Sequence, residues 1–149
     1  MLKHHAKQVT IYTDGACKNN PGPGGWAAIL ICDAKEKIVT GFEEHTTNNR
    51  MELLSVINAL NSLKYRCNIV LYTDSQYVKN GISTWLPNWR TKNWRTASGA
   101  AVKNQDLWEM LDLVAKKHDI SWHWVKAHNG HPLNERVDFL ARQAIQCDK

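Results

Sequence analysis

Apolar and polar positions alternate over residues 8–13, and this β-branched run reads as a first strand. A turn is expected at Asn20-Pro21-Gly22-Pro23-Gly24-Gly25. Residues 26–32 and 37–42 read as two further strands joined by a short polar turn near 33–36, and hairpin-length spacing makes the three antiparallel. The period then changes. Leu53, Val56, Ile57, Leu60 and Leu63 recur at helical spacing, predicting a helix that starts after Asn49 and ends near 65–68. A fourth strand covers 69–73. A helix over 76–85 is expected to break at Pro87, and another covers 105–116 with Leu107, Trp108, Leu111 and Val114 inward. Residues 120–125 form a fifth strand, and a last helix begins near Pro132, a residue suited to a first helical turn.

Two strands end almost identically, at Ile11-Tyr12-Thr13-Asp14-Gly15 and at Leu71-Tyr72-Thr73-Asp74-Ser75. Apolar runs of this kind in an α/β domain lie side by side in a buried sheet, with neighbouring strands roughly 5 Å apart. If the two are parallel neighbours, Asp14 and Asp74 emerge together as close carboxylates. Such a pair repels and raises its own pKa values unless a divalent cation lies between.

Two further acids are unusually placed. Glu52 is expected in the first turn of the first helix, where Asn49-x-x-Glu52 also has capping-box spacing. Asp138 lies beside the apolar stripe of the last helix, four residues before Arg142, with which it could simply pair. Taken with Asp14 and Asp74, the four acids converge at one end of a sheet, an arrangement suited to hard divalent cations.

Composition narrows the setting. A chain of 149 residues, 43% hydrophobic, fits one α/β domain spanning residues 1–149, with 1–6 frayed, and His4 and His5 there are incidental. Cys17, Cys32, Cys67 and Cys147 are scattered without CxxC spacing, which excludes a zinc knuckle or compact disulfide framework and favours a reduced, cytoplasmic setting. The longest apolar run, 26–32, is far below the roughly 20 residues that span a bilayer, and no signal-peptide core is present, so no membrane partner is expected.

The net charge of +5 is unevenly spread. No acid occurs between Asp74 and Asp106, while Lys79, Arg90, Lys92, Arg95 and Lys103 do, interleaved with Trp85, Trp89 and Trp94. Cations mixed with aromatics suit a nucleic acid. The alternative is a solvated face whose tryptophans pack on one another.

The motifs Thr13-Asp14-Gly15, Asn20-Pro21-Gly22-Pro23-Gly24-Gly25, Thr46-Thr47-Asn48-Asn49-Arg50-Met51-Glu52-Leu53, Thr73-Asp74-Ser75-Gln76-Tyr77-Val78 and Trp124-Val125-Lys126-Ala127-His128-Asn129-Gly130-His131 occur in that order, and Asn134-Glu135-Arg136-Val137-Asp138 follows. Together they resemble bacterial ribonuclease H of type 1, over residues 7–144. The resemblance implies a ribonuclease H-like fold, a five-stranded mixed sheet with its first three strands antiparallel, flanked by helices. It also implies a monomeric endonuclease that hydrolyses the RNA strand of RNA/DNA hybrids, leaving 3′-hydroxyl and 5′-phosphate ends.

The family's metal carboxylates fall on Asp14, Glu52, Asp74 and Asp138, and its mobile-loop histidine on His128. Two magnesium ions about 3.5 to 4 Å apart would generate the attacking hydroxide and stabilise the leaving oxygen, with Asp14 as the shared ligand and manganese as the substitute. His128 suits proton transfer near neutral pH, whereas His131, just before Pro132, reads as a structural histidine at a helix entry.

Minor-groove contacts that report the ribose 2′-hydroxyl fall on Cys17, Asn20, Asn48, Asn49 and Gln76. Thr47 and Asn104 match positions that grip a DNA phosphate, and Trp85, Trp89, Arg90, Lys92, Trp94 and Arg95 match a basic protrusion. One departure is His45, where the family often carries an arginine; a neutral histidine grips phosphate less firmly than an arginine fork. Rival readings are a non-catalytic hybrid-binding module and a related nuclease or strand-transfer enzyme on the same scaffold.

Overall fold

The computed structural model describes residues 7–96, 98–126 and 131–147, with side chains to 145 in the last helix. Five strands form one mixed sheet in the order β3-β2-β1-β4-β5: β1 Lys7–Cys17, β2 Gly22–Cys32, β3 Lys35–Thr46, β4 Cys67–Thr73 and β5 Asp119–Trp124. β1, β2 and β3 run antiparallel as expected, and β4 pairs parallel with both β1 and β5. The β2–β3 hairpin closes through Asp33 and Ala34, both at positive φ (52° and 66°), the backbone a two-residue primed turn requires.

Side chains on the central strands alternate between two cores. Val9, Ile11, Ala28, Leu30 and Leu71 face α1 (Asn48–Asn61) and α4 (Gln105–Ala115), while Tyr12, Ala27 and Ile29 face α5 (Pro132–Cys147). β1 and β2 are therefore covered on both faces, which explains the continuous apolar run of β2 over residues 26–32. The inward stripe expected of α4 is fully realised, with Trp108 and Leu111 at 0% exposure. Among the described residues, no helix is long and apolar enough to cross a membrane.

Three sequence expectations need correction. The Pro-Gly run is not wholly a turn: the chain reverses over residues 18–21, and β2 already begins at Gly22. Gly24 and Gly25 pair with Cys17 and Ala16, and Gly25 lies so close to the Ala141 carbonyl of α5 that a side chain would collide with it. The first helix stops at Asn61, where the Ser62 N–H bonds back to Asn58 and Ala59, while Leu63 still packs on the core from the following loop. Pro87 does not break its helix. α2 (Gln76–Asn80) runs through one π-turn (Gly81–Trp85) into α3 (Leu86–Thr91), placing Pro87 in a first turn, where no N–H is required.

Gly15 sets the distance between β1 and α1. A Cβ there would lie 2.5 Å from the Glu52 nitrogen and from the Met51 carbonyl carbon, both of them backbone atoms. Gly15→Ala is expected to push α1 off the sheet and to lower stability by roughly 1–3 kcal/mol, the usual cost of overpacking; urea unfolding of the variant beside wild type measures it.

Candidate active site

β1 and β4 run in parallel register, pairing Tyr12 with Tyr72 and Thr13 with Thr73. The two tyrosine rings stack with centroids 4.7 Å apart and planes 8° from parallel. Asp14 and Asp74 follow this pair at the same level, so the sequence repeat is a spatial repeat. Asp14 is 3% exposed, and its Oδ1 accepts the Gly15 N–H at 2.9 Å.

Glu52 arrives from the helix laid over Gly15. The cap of α1 is Thr47, whose Oγ1 accepts the Arg50 N–H at 3.2 Å, so Glu52 sits beyond the first turn and the capping-box reading of it fails. Its side chain instead turns into the site, only 6% exposed, and its Oε1 has no hydrogen-bond partner among the described residues. Asp14, Glu52 and Asp74 each offer one oxygen within 4.8 Å of the others.

Asp138 approaches from α5 and makes the helix-surface pair that its spacing from Arg142 allowed, while the cluster of mutually close oxygens consists of Asp14, Glu52 and Asp74. Its Oδ2 accepts from Arg142 Nε at 3.2 Å, and its carboxyl lies near enough to Asp14 to help raise that group's pKa.

Burial and charge act together on these groups. Desolvation, then Asp74, then Asp138 push the Asp14 carboxyl up to about 9. Burial pushes Glu52 well above the usual carboxylate range, with Asp14 and Asp74 adding to it. An orphaned buried carboxylate oxygen beside two more acids is a donor set of hard oxygens, which fits a magnesium- or manganese-like cation.

The other expected site residues fall into three groups. Around the β1–β2 turn, Asn20 Oδ1 accepts the Asn48 N–H at 2.9 Å, and Cys17 Sγ lies 3.4 Å from the Thr46 carbonyl, bringing Cys17, Asn20 and Asn48 to one rim. Asn49 and Gln76 are exposed in the first turns of α1 and α2, and Gln76 follows the cap Ser75 two residues after Asp74. His128 lies outside the described residues, as does the 1–6 segment expected to fray. His131, just before α5, packs its ring on Tyr12 with centroids 5.2 Å apart.

In the basic segment the tryptophans pack on one another, as the second of its readings has it. Trp85, Trp89 and Trp94 pack in series, with centroids 5.9 and 6.0 Å apart, and Trp89 lies on buried Trp108 at 5.6 Å. Lys92, Arg95 and Lys103 line an open cleft of about 520 Å³ beside Tyr77, Trp85 and Trp89. Arg90 departs from the group, since its guanidinium forks onto Asp112, which Lys116 also contacts.

Sequence reading missed Arg50, Tyr77 and Asp106. Arg50 binds Asp106 through both terminal nitrogens at 3.2 and 3.1 Å. The available signal was Arg50 itself: a cation in the first turn of a helix opposes the macrodipole and calls for a partner.

Comparisons with known proteins agree with this geometry. Residues 6–146 match the family model described as RNase H. The chain is 61% identical over 140 residues to a protein of Hahella chejuensis named ribonuclease H, covering 94% of this chain and 95% of that one. It superposes with a TM-score of 0.89 and 31% identity on LC9-RNase H1, a type 1 RNase H with the type 2 active-site motif, over 99% of this chain and 76% of that one. A more distant neighbour in fold is LC11-RNase H1, solved in complex with RNA/DNA hybrid, at 20% identity and a TM-score of 0.68, over 93% of this chain and 96% of that one.

The raised carboxyls make stability depend on pH. Asp14 and Glu52 hold protons more tightly folded than unfolded, so their contribution is complete near pH 4 and declines as pH rises, that of Asp14 being lost through about 9. Denaturant melts of the metal-free protein should therefore weaken between about pH 5 and 9. Asp14→Asn should flatten that decline and exceed wild type at pH 8 by roughly 1–3 kcal/mol.

Proposed function

The chain belongs to the ribonuclease H family, and we propose that it is an endonuclease that hydrolyses the RNA strand of RNA/DNA hybrids, leaving 3′-hydroxyl and 5′-phosphate ends. The observation that carries this reading is the cluster of Asp14, Glu52 and Asp74, mutually close, largely buried, and holding an unpartnered Glu52 oxygen. The hybrid bound by LC11-RNase H1 supports the choice of substrate.

Asp14, Glu52, Asp74 and Asp138 would hold two magnesium ions, with manganese as a substitute and Asp14 as the shared ligand. When bound, the pair supplies Lewis acidity to the attacking water, the scissile phosphate and the leaving oxygen. Asp14, at the closed end of β1, is fixed by the Gly15 N–H and by the packing of α1, so it orients as a rigid group. The basicity that burial gives Asp14 and Glu52 makes them strong ligands once their protons are displaced. His128, on the segment between β5 and α5, would accept or deliver a proton at the reacting water or the departing product.

Substrate recognition divides between two rims. Cys17, Asn20, Asn48, Asn49 and Gln76 would meet the RNA strand in the minor groove, where the 2′-hydroxyl separates ribose from deoxyribose. The Asn20–Asn48 hydrogen bond supports this by holding the turn against the N-terminus of α1. Thr47 and Asn104 would grip a phosphate of the DNA strand, and Trp85, Trp89, Lys92, Trp94 and Arg95 would pack along its backbone. Arg90, already engaged by Asp112, would stiffen this handle more than contact the nucleic acid. The protein would act as a cytoplasmic monomer.

A labelled hybrid, run beside single-stranded RNA, double-stranded RNA and DNA duplex, tests the proposal. Cleavage of the RNA strand of the hybrid alone is expected with magnesium, and a chelator should abolish it. Asp14→Asn should lower turnover by about three orders of magnitude or more while remaining folded. Cutting of the DNA strand, or an inert hybrid with magnesium present, would contradict the reading.

A further inference from the structure

Asn104 stands just before α4 in the left-handed region, φ 58°, yet its side chain does not cap that helix. Both ends of its amide are held from other elements instead. Oδ1 accepts from Arg50 Nη1 at 3.2 Å, and Nδ2 donates to the Tyr77 hydroxyl at 3.1 Å.

Each partner is itself fixed. Arg50 forks onto Asp106 in the first turn of α4, and its backbone N–H donates to Thr47 Oγ1 at 3.2 Å. Tyr77 accepts the Trp108 indole N–H at 3.0 Å, and its ring meets Trp85 and Trp108 at 5.6 and 5.4 Å. Arg50 therefore touches both Thr47 and Asn104, and Tyr77 ties Asn104 to the tryptophan series.

The chemistry of these groups removes the ambiguity of an amide. A guanidinium and an indole only donate, so Oδ1 must face Arg50, and the Tyr77 oxygen is left to accept from Nδ2. Nδ2 carries a second hydrogen, whose direction is then set. Were the amide reversed, its carbonyl oxygen would face an approaching phosphate and repel it.

We infer that Arg50 and Tyr77 are positioning residues, which lock the Asn104 amide with its free N–H outward and thereby shape the grip on a DNA-strand phosphate. This rests on the hybrid-cleaving reading above. It adds two residues that touch neither substrate nor metal, and it couples the first turn of α1 to the tryptophan handle.

The test combines Arg50→Lys and Tyr77→Phe with an Asn104→Ala background. Tyr77→Phe removes one oxygen and keeps the ring packing; Arg50→Lys keeps the charge and loses the fork. Hybrid Kd is measured with chelator present, KM and kcat with magnesium, and thermal melts confirm folding. Each substitution alone should raise Kd and KM about three- to tenfold, the worth of one lost hydrogen bond, with kcat within about twofold of wild type. In the Asn104→Ala background, that weakening should vanish, because no amide remains to orient.

A folded single variant with unchanged Kd and KM overturns the inference. So does weakening that persists undiminished without Asn104, which would mark a general structural role. Wild type that neither binds nor cuts the hybrid overturns the functional reading and this inference with it, whereas a competent wild type beside unaffected variants overturns the inference alone.

Discussion

Asp14 and Asp74 leave adjacent parallel strands at the same level, and Glu52 enters beside them from the helix laid across Gly15. Like charges gathered in a partly dry site cannot all ionise without compensation. The protein accepts this cost at one edge of its sheet and supports it everywhere else: β1 is packed on both faces, the tyrosines before the two aspartates stack, and the Gly15 N–H faces Asp14. Relief comes either from protons or from divalent cations, and the donor set suits the second.

The same rigidity extends outward to the two rims of the site. Asn20 clips the β1–β2 turn to the start of α1, so the rim expected to read ribose moves with the helix that carries Glu52. On the other side, Arg50 joins α1 to α4, and the tryptophan series rests on Trp108, a fully buried residue of α4. Glu52 and the footing of the tryptophan series are thus mounted on one helix pair. Charges that would otherwise disfavour helix ends are paired: Arg50 in the first turn of α1 with Asp106 of α4, and Asp112 near the end of α4 with Arg90 of α3 and with Lys116 at the same helix end.

Much of this was legible because it depends on local period and on repeats. The twin Tyr-Thr-Asp endings specified the parallel neighbours, and the 3.6-residue stripes specified the faces of α1 and α4. What was not legible depends on partners distant in sequence. Asn49-x-x-Glu52 has capping-box spacing, but Thr47 takes the cap and leaves Glu52 free for the site. Pro87 breaks helices in general, but a single π-turn placed it where its missing N–H does no harm. Arg90 looked like one more cation of the handle until Asp112, 22 residues on, claimed it. Asp138 reads as either a helix-surface pair or a site acid; its carboxylate pairs with Arg142 and lies near enough to Asp14 to raise that group's pKa.

The claim on which the account turns is that this carboxylate cluster is frustrated without cations and relieved by them. Carbon-detected NMR of the Asp14 carboxyl, titrated from pH 4 to 10 with and without magnesium, reads it directly. In the metal-free protein the resonance should hold its protonated position through neutral pH and change near the raised value of about 9. Adding magnesium at pH 7.5 should shift it to the ionised position with release of protons to solvent. A resonance that titrates in the ordinary carboxylate range near 4 and ignores magnesium would contradict the account.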